Sequence, residues 1–171
     1  ALVAALVVAA ALAPLLAPAD PYRGALADSL RPPSATHLLG TDAQGRDLLS
    51  RTLYGARISL VVGVASQTIA LGLGVVLGLI AGYYGRWADA VVMRAADVTL
   101  AFPSLLLLIA IAAAIEPSVP VIFAVIGVVG WAGMARLVRG QVLVVRALEY
   151  VAAARALGAS DARILARHVL P

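Results

Sequence analysis

Residues 58–82 carry no charged side chain, and this run of 25 constrains the chain more than any other stretch. As a helix it rises ~37 Å, enough to cross a hydrocarbon core of ~30 Å with some tilt. Lipid offers no partner to a bare amide, so a helix is the conformation the run predicts. Gly74, Gly78 and Gly82 recur every four residues and therefore share one face. Such a face predicts close approach by a neighbouring helix, where packing rather than water expulsion drives association. The plainer alternative is that glycine is simply common in membrane helices; three in register favour packing.

Three more apolar segments predict spans at residues 1–19, 98–115 and 119–135. Apolar residues make up 63% of the 171 positions and charged ones 13%, a balance that makes a bilayer the natural solvent. The first segment starts without Met or a basic flank, and Ala17-Pro18-Ala19 is small enough for a signal-peptide cleavage site. The missing basic region and the three later spans favour a transmembrane helix. Pro103 falls in the first turns of the third span, where an absent amide costs little. Residues 116–120 form a breaker, so spans three and four are expected to pair as an antiparallel hairpin. Spans two to four hold no ionisable residue, which argues against a proton-coupled carrier.

Three polar regions remain. Residues 20–57 are expected to form a long loop with an amphipathic segment, and 83–97 a short connection or helix end. All thirteen basic residues are arginine; six lie from Arg136 onward and two within 83–97. Alternating spans put those two regions on one side, and the arginine excess marks it as cytoplasmic. Residues 20–57 then face outward. The arginines lie mostly between apolar runs, which suits topology and lipid headgroups rather than nucleic acid.

Little here suggests catalysis. Without lysine there is no phosphate-binding loop of the Walker type, so nucleotide chemistry must come from another chain. Without cysteine there are no disulfides, thiolate metal sites or thiol nucleophiles. His37 and His168 fall on opposite predicted sides and cannot share a metal. Asp42 and Asp47 could be paired carboxylates, but a turn cap beside Gly40 with an ion pair to Arg46 or Arg51 is the simpler reading. No cofactor or metal is expected in this chain.

The terminal segment, residues 136–171, differs in kind. Val144, Leu148 and Val151 recur at helical spacing and predict one apolar face. Gly158 suits the left-handed residue that ends a helix. Ser160 can cap the next one, with Asp161 near its positive end. Two short helices joined at Ala159-Ser160 result. They could dock on a soluble partner or lie on the headgroups, which Arg155, Arg163 and Arg167 would suit; the residues alone leave both open.

Ala153-Ala154, Gly158 and Leu170-Pro171 resemble the cytoplasmic EAA loop of permease subunits in ABC importers. The wider likeness, from about residue 17 to the end, is to the dipeptide, oligopeptide and nickel branch. Carrying it are Gly40-Thr41-Asp42, Gly45-Arg46-Asp47, Ser50-Arg51, Gly55, Gly82-Tyr-Tyr-Gly85, Trp87, Asp89, Asp97, Ala101-Phe-Pro103 and Glu149-Tyr-Val151. The resemblance implies an all-α membrane protein, a type I importer permease-like bundle of about four spans plus the coupling-helix segment. It implies a multi-pass protein of a prokaryotic inner membrane. Its partners would be a homologous permease, two ABC ATPase subunits and an extracytoplasmic substrate-binding protein. The loop would seat in a cleft of the ATPase, placing Ala152, Ala153, Ala154, Gly158, Ala159, Ser160 and Asp161 at or near the docking surface. Gly40, Thr41, Asp42, Gly45, Arg46 and Asp47 form an external motif to which no role is attached. Two positions depart from the pattern: Ala152 replaces the usual glutamate, and His168 an expected isoleucine. Relatives continue for two more spans beyond the Leu-Pro, so the chain reads as a fragment. The competing class is a secondary carrier or channel that needs no ATPase.

Overall fold

The computed structural model describes residues 1–116 and 118–170. Its helices are α1 (Leu2–Ala11), α2 (Ala13–Leu16), α3 (Leu48–Tyr84), α4 (Arg86–Ala101), α5 (Ser104–Ala114), α6 (Val119–Val145), α7 (Glu149–Ala156) and α8 (Asp161–Ile164), followed by a π-turn at Leu165–Val169. No strand occurs among the described residues, which hold only an isolated bridge between Thr41 and Asp47. The chain divides into two compact units, Ala1–Gly63 and Val64–Pro171. Two helices, α3 and α6, are long and apolar enough to cross a membrane, and the bent pair α4–α5 would make a third.

Three expectations change. Residues 1–19 do not form one helix: α1 ends at Ala11 and the four-residue α2 follows. Pro14 lies in the first turn of α2; with no amide to donate, it favours a new start over a continued helix. Ten residues rise ~15 Å, about half a bilayer core. Residues 83–97 are not a short connection: Tyr83 and Tyr84 end α3, and most of the rest forms the 16-residue α4, which starts at Arg86 where Gly85 and Arg86 turn the chain through positive φ of 63° and 47°. Finally, 98–115 is not one continuous helix. Proline bars the preceding residue from helical geometry, so Phe102 is extended, Pro103 precedes α5, and α4 and α5 meet at 87°.

Within the second unit, α6 is the hub. It begins at Ser118, whose hydroxyl accepts a bond from Val121 N, with Pro120 in its first turn where no amide is needed. A Cβ built on Gly74 would stand 2.5 Å from Met134 Cβ, on Gly78 2.6 Å from the Ala135 carbonyl, and on Gly82 2.7 Å from Val142 Cβ. Real Cβ atoms do not approach so closely, so backbone meets side chain directly along this seam. Opposite, Gly127 gives the same room to Ile69. Arginines of α6 bind α4: Arg139 forms a forked pair with Asp89, and Arg136 reaches Asp97 at 2.7 Å.

Candidate functional site

The terminal segment folds as a turn with an open tip and a packed back. α6 stops at Val145, the chain bends through Arg146, and Leu148 is extended. The bend separates Val144 and Leu148 from the helix that holds Val151. Val144 and Leu148 are therefore exposed, while Val151 is fully buried. The expected single apolar stripe is replaced by a cluster of Val151, Ile164 and Val169 against Tyr83 and Val142. Burying Val151 and Ile164 is worth roughly 1.5–3 kcal/mol each.

After α7 the turn closes as a Schellman motif. Gly158, at φ +83°, donates to Arg155 O at 3.0 Å, and Ala159 N donates to Ala154 O at 3.1 Å. Ser160 occupies the position before α8 as expected, but its side chain makes no capping bond. Asp161, in the first turn of α8, accepts a bond from the Tyr83 hydroxyl at 2.5 Å. Ala152, Ala153, Gly158, Ser160 and Asp161 are exposed; Ala154 and Ala159 are half-buried. Leu157, at the tip, is 88% exposed, and no atom lies within 4 Å of where a Gly158 Cβ would sit.

Polar contacts tie this segment to the end of α3. Arg155 Nη2 donates to the Tyr83 hydroxyl at 3.0 Å, and its guanidinium lies 5.6 Å from the ring centre. Arg146 donates to the carbonyls of Gly82 and Tyr83 at 2.7 and 3.1 Å, satisfying acceptors that a helix end leaves bare. Tyr150 donates to His168 O at 3.0 Å. Sequence reasoning did not single out Tyr83 or Leu157. Tyr83 stood inside the Gly82-Tyr-Tyr-Gly85 motif, but its partners lie more than 70 residues away.

In the first unit, Gly40, Thr41, Asp42, Gly45, Arg46 and Asp47 do converge. Asp42 Oδ2 takes Arg46 Nε and Arg51 Nη1, both at 2.8 Å, while Oδ1 accepts the amides of Gln44 and Arg46. The Arg46 amide foremost, then its side chain, holds the Asp42 pKa below the ordinary 3.8. Asp47 is buried, with His37 Nδ1 3.0 Å from one oxygen and Ser50 N donating to the other at 2.8 Å. Burial pushes its pKa up, but the bonds from Ser50 and His37 prevail and leave it below 3.8. Thr41 accepts from Arg31 N and donates to Asp28 O. Every member is thus engaged by its own loop, as structural bonding rather than a catalytic carboxylate pair.

No group of three or more metal-ligating side chains exists among the described residues. A small-residue turn backed by two long apolar helices is the arrangement left to explain, and similarity to known proteins bears on it directly. Residues 74–171, covering that turn and its supporting helices, match the family described as binding-protein-dependent transport system inner membrane component. The chain is 43% identical over 166 residues to the dipeptide transport system permease protein DppC of Bacillus subtilis, covering 97% of this chain and 52% of the relative. To the oligopeptide permease OppC of the same organism it is 40% identical over 166 residues, covering 97% and 54%. To the glutathione transport system permease protein GsiD of Pectobacterium atrosepticum it is 45% identical over 139 residues, covering 81% and 46%. The chain spans about half the length of the curated relatives it matches. The match over residues 74–171 takes in more than half the chain, including all of the candidate span α6 and the end of α3: the chain belongs to the binding-protein-dependent transport system inner membrane component family.

Proposed function

We propose that this chain is part of the transmembrane permease subunit of an ATP-driven, binding-protein-dependent importer in a prokaryotic inner membrane, carrying peptides or related small solutes. The names of the relatives, which specify dipeptides, oligopeptides and glutathione, support a peptide-like cargo. In this reading the full protein pairs with a homologous permease, two ATPase subunits and an external binding protein. Residues 20–57 face outward, and the ends of α3 and α6 with the terminal segment face the cytoplasm. The turn at residues 157–160 docks on the ATPase, whose motion it passes to the spans.

The observation that carries this is the contrast at that turn. Leu157 stands 88% exposed at the tip while Val151 and Ile164, just behind it, are fully buried. A large apolar residue at the open tip of a backbone-bonded turn, next to small residues, supports a contact surface there. Small neighbours, Ala152 to Ala154 and Gly158, let a cleft close around it.

The test uses the full-length permease purified from membranes with its neighbours. ATPase subunits should co-purify with the parent protein. A Gly158→Val variant should lose most of them, together with cargo-stimulated ATP hydrolysis, because valine resists positive φ. Uptake driven by an ion gradient, with no ATPase subunit retained by the parent, would sink the proposal.

A further inference from the structure

We propose that Tyr83 is a positioning residue that links the docking turn to the end of α3 through Asp161 and Arg155. The inference rests on the docking reading above and names the side chains through which motion of the turn would reach a membrane-spanning helix.

One hydroxyl joins three helices. Tyr83 is the penultimate residue of α3; its hydroxyl donates to Asp161, the first residue of α8, and accepts from Arg155 in the last turn of α7. Arg155 and Asp161 flank Gly158 on either side, so both arms of the turn are held at one point. The two bonds use the hydroxyl as donor and acceptor together, and both partners are charged, which makes each bond stronger than a neutral one. The Tyr83 ring is itself 8% exposed and belongs to the cluster with Val151 and Ile164, so the hydroxyl cannot swing free of the packing behind it. Around the tip, by contrast, there is open space. A force applied at Leu157 therefore meets, on both arms of the turn, a polar contact to the Tyr83 hydroxyl of α3. Asp161 remains exposed, yet one of its carboxylate oxygens is committed to the tyrosine at 2.5 Å, so the link runs through a residue on the turn's surface.

The experiment uses the full-length permease assembled with its partner permease, ATPases and binding protein in liposomes. Two quantities are measured: ATPase subunits retained, and cargo taken up per ATP hydrolysed. Tyr83→Phe keeps the ring and removes the hydroxyl. It should retain ATPase subunits at the parent's ratio while uptake per ATP falls about tenfold, on the scale of one charged hydrogen bond. Asp161→Ala should match it, and the double variant should be no worse than either, since both break one link. Asp161→Asn, whose amide oxygen still accepts, should recover most of the coupling. A Tyr83→Phe protein that couples like the parent overturns the proposal. So does one that loses its ATPase subunits, because Tyr83 then merely props up the docking surface. A parent complex that captures no ATPase at all overturns the docking reading instead, whatever Tyr83 does.

Discussion

Two glycine turns in this protein use the same backbone conformation to opposite ends. Gly40 and Gly158 both sit at φ near +80°. A Cβ on Gly40 would lie 2.5 Å from the Arg31 carbonyl and 3.3 Å from Pro32, while one on Gly158 would meet nothing. Around Gly40, backbone and side chains turn inward: Asp42 gathers two arginines and two amides, and Asp47 caps α3 through Ser50. Around Gly158, bonding is confined to the back of the turn and the tip is left bare. Both turns leave leucines exposed, Leu38 and Leu39 beside Gly40 and Leu157 beside Gly158, so the difference lies in the space around the glycine: it is filled by the loop itself at Gly40 and open at Gly158. The contrast separates a turn closed on itself from one with an open tip, though both look alike as glycine in a polar stretch.

The sharpest way to break this comparison is to add one methyl to each turn. Gly40→Ala meets both the left-handed strain and the Arg31 carbonyl, and should cost on the order of 2–3 kcal/mol, seen as protease sensitivity within residues 20–47. Gly158→Ala meets only the strain, roughly 1–2 kcal/mol, and should lower the thermal unfolding midpoint of the detergent-solubilised protein less than Gly40→Ala does. Equal losses at the two sites would erase the distinction.

A milder probe is acid. Asp42 and Asp47 both hold pKa values below 3.8 in the folded loop. A depressed carboxylate contributes stability above its unfolded value, and that stability is lost as pH falls through the folded value. The loop should therefore stay closed at neutral pH and open only below 3.8, where pepsin cleavage within residues 20–47 should rise. Cleavage that is constant from pH 5 down to 2 would mean that these carboxylates are not what closes it.

Much of this was legible in the residues. The uncharged run at 58–82 lies within α3, and Gly158 takes the left-handed turn that glycine permits. The ion pairs of Asp42 with Arg46 and Arg51 followed from proximity along the chain. What escaped depends on geometry that local pattern does not carry. Pro103 was placed inside a helix start, but its effect falls on Phe102, and the helix beginning there had already formed upstream as α4. The stripe through Val144 and Val151 assumed an unbroken helix, and the bend at Arg146 removed it. Tyr83 was invisible as an anchor because its partners, Arg155 and Asp161, lie 72 and 78 residues away. The polar end of a membrane helix thus takes its meaning from side chains that arrive late in the chain.

The forked pair of Arg139 with Asp89 carries a consequence for how the protein is made. On the proposed topology, the arginines beyond residue 135 hold their side of the chain in the cytoplasm during insertion, when only their charge counts. Once the helices assemble, Arg139 is spent on Asp89, Arg136 on Asp97 and Arg146 on the end of α3. One residue thus answers to two readers in turn, the first sensing charge and the second shape. Lysine would satisfy only the first, because it lacks the planar fork. An Arg139→Lys protein should insert in the parent's orientation, as reported by tags on either side of the membrane, yet cross-link less between α4 and α6; altered orientation would show that the two readers are not separate.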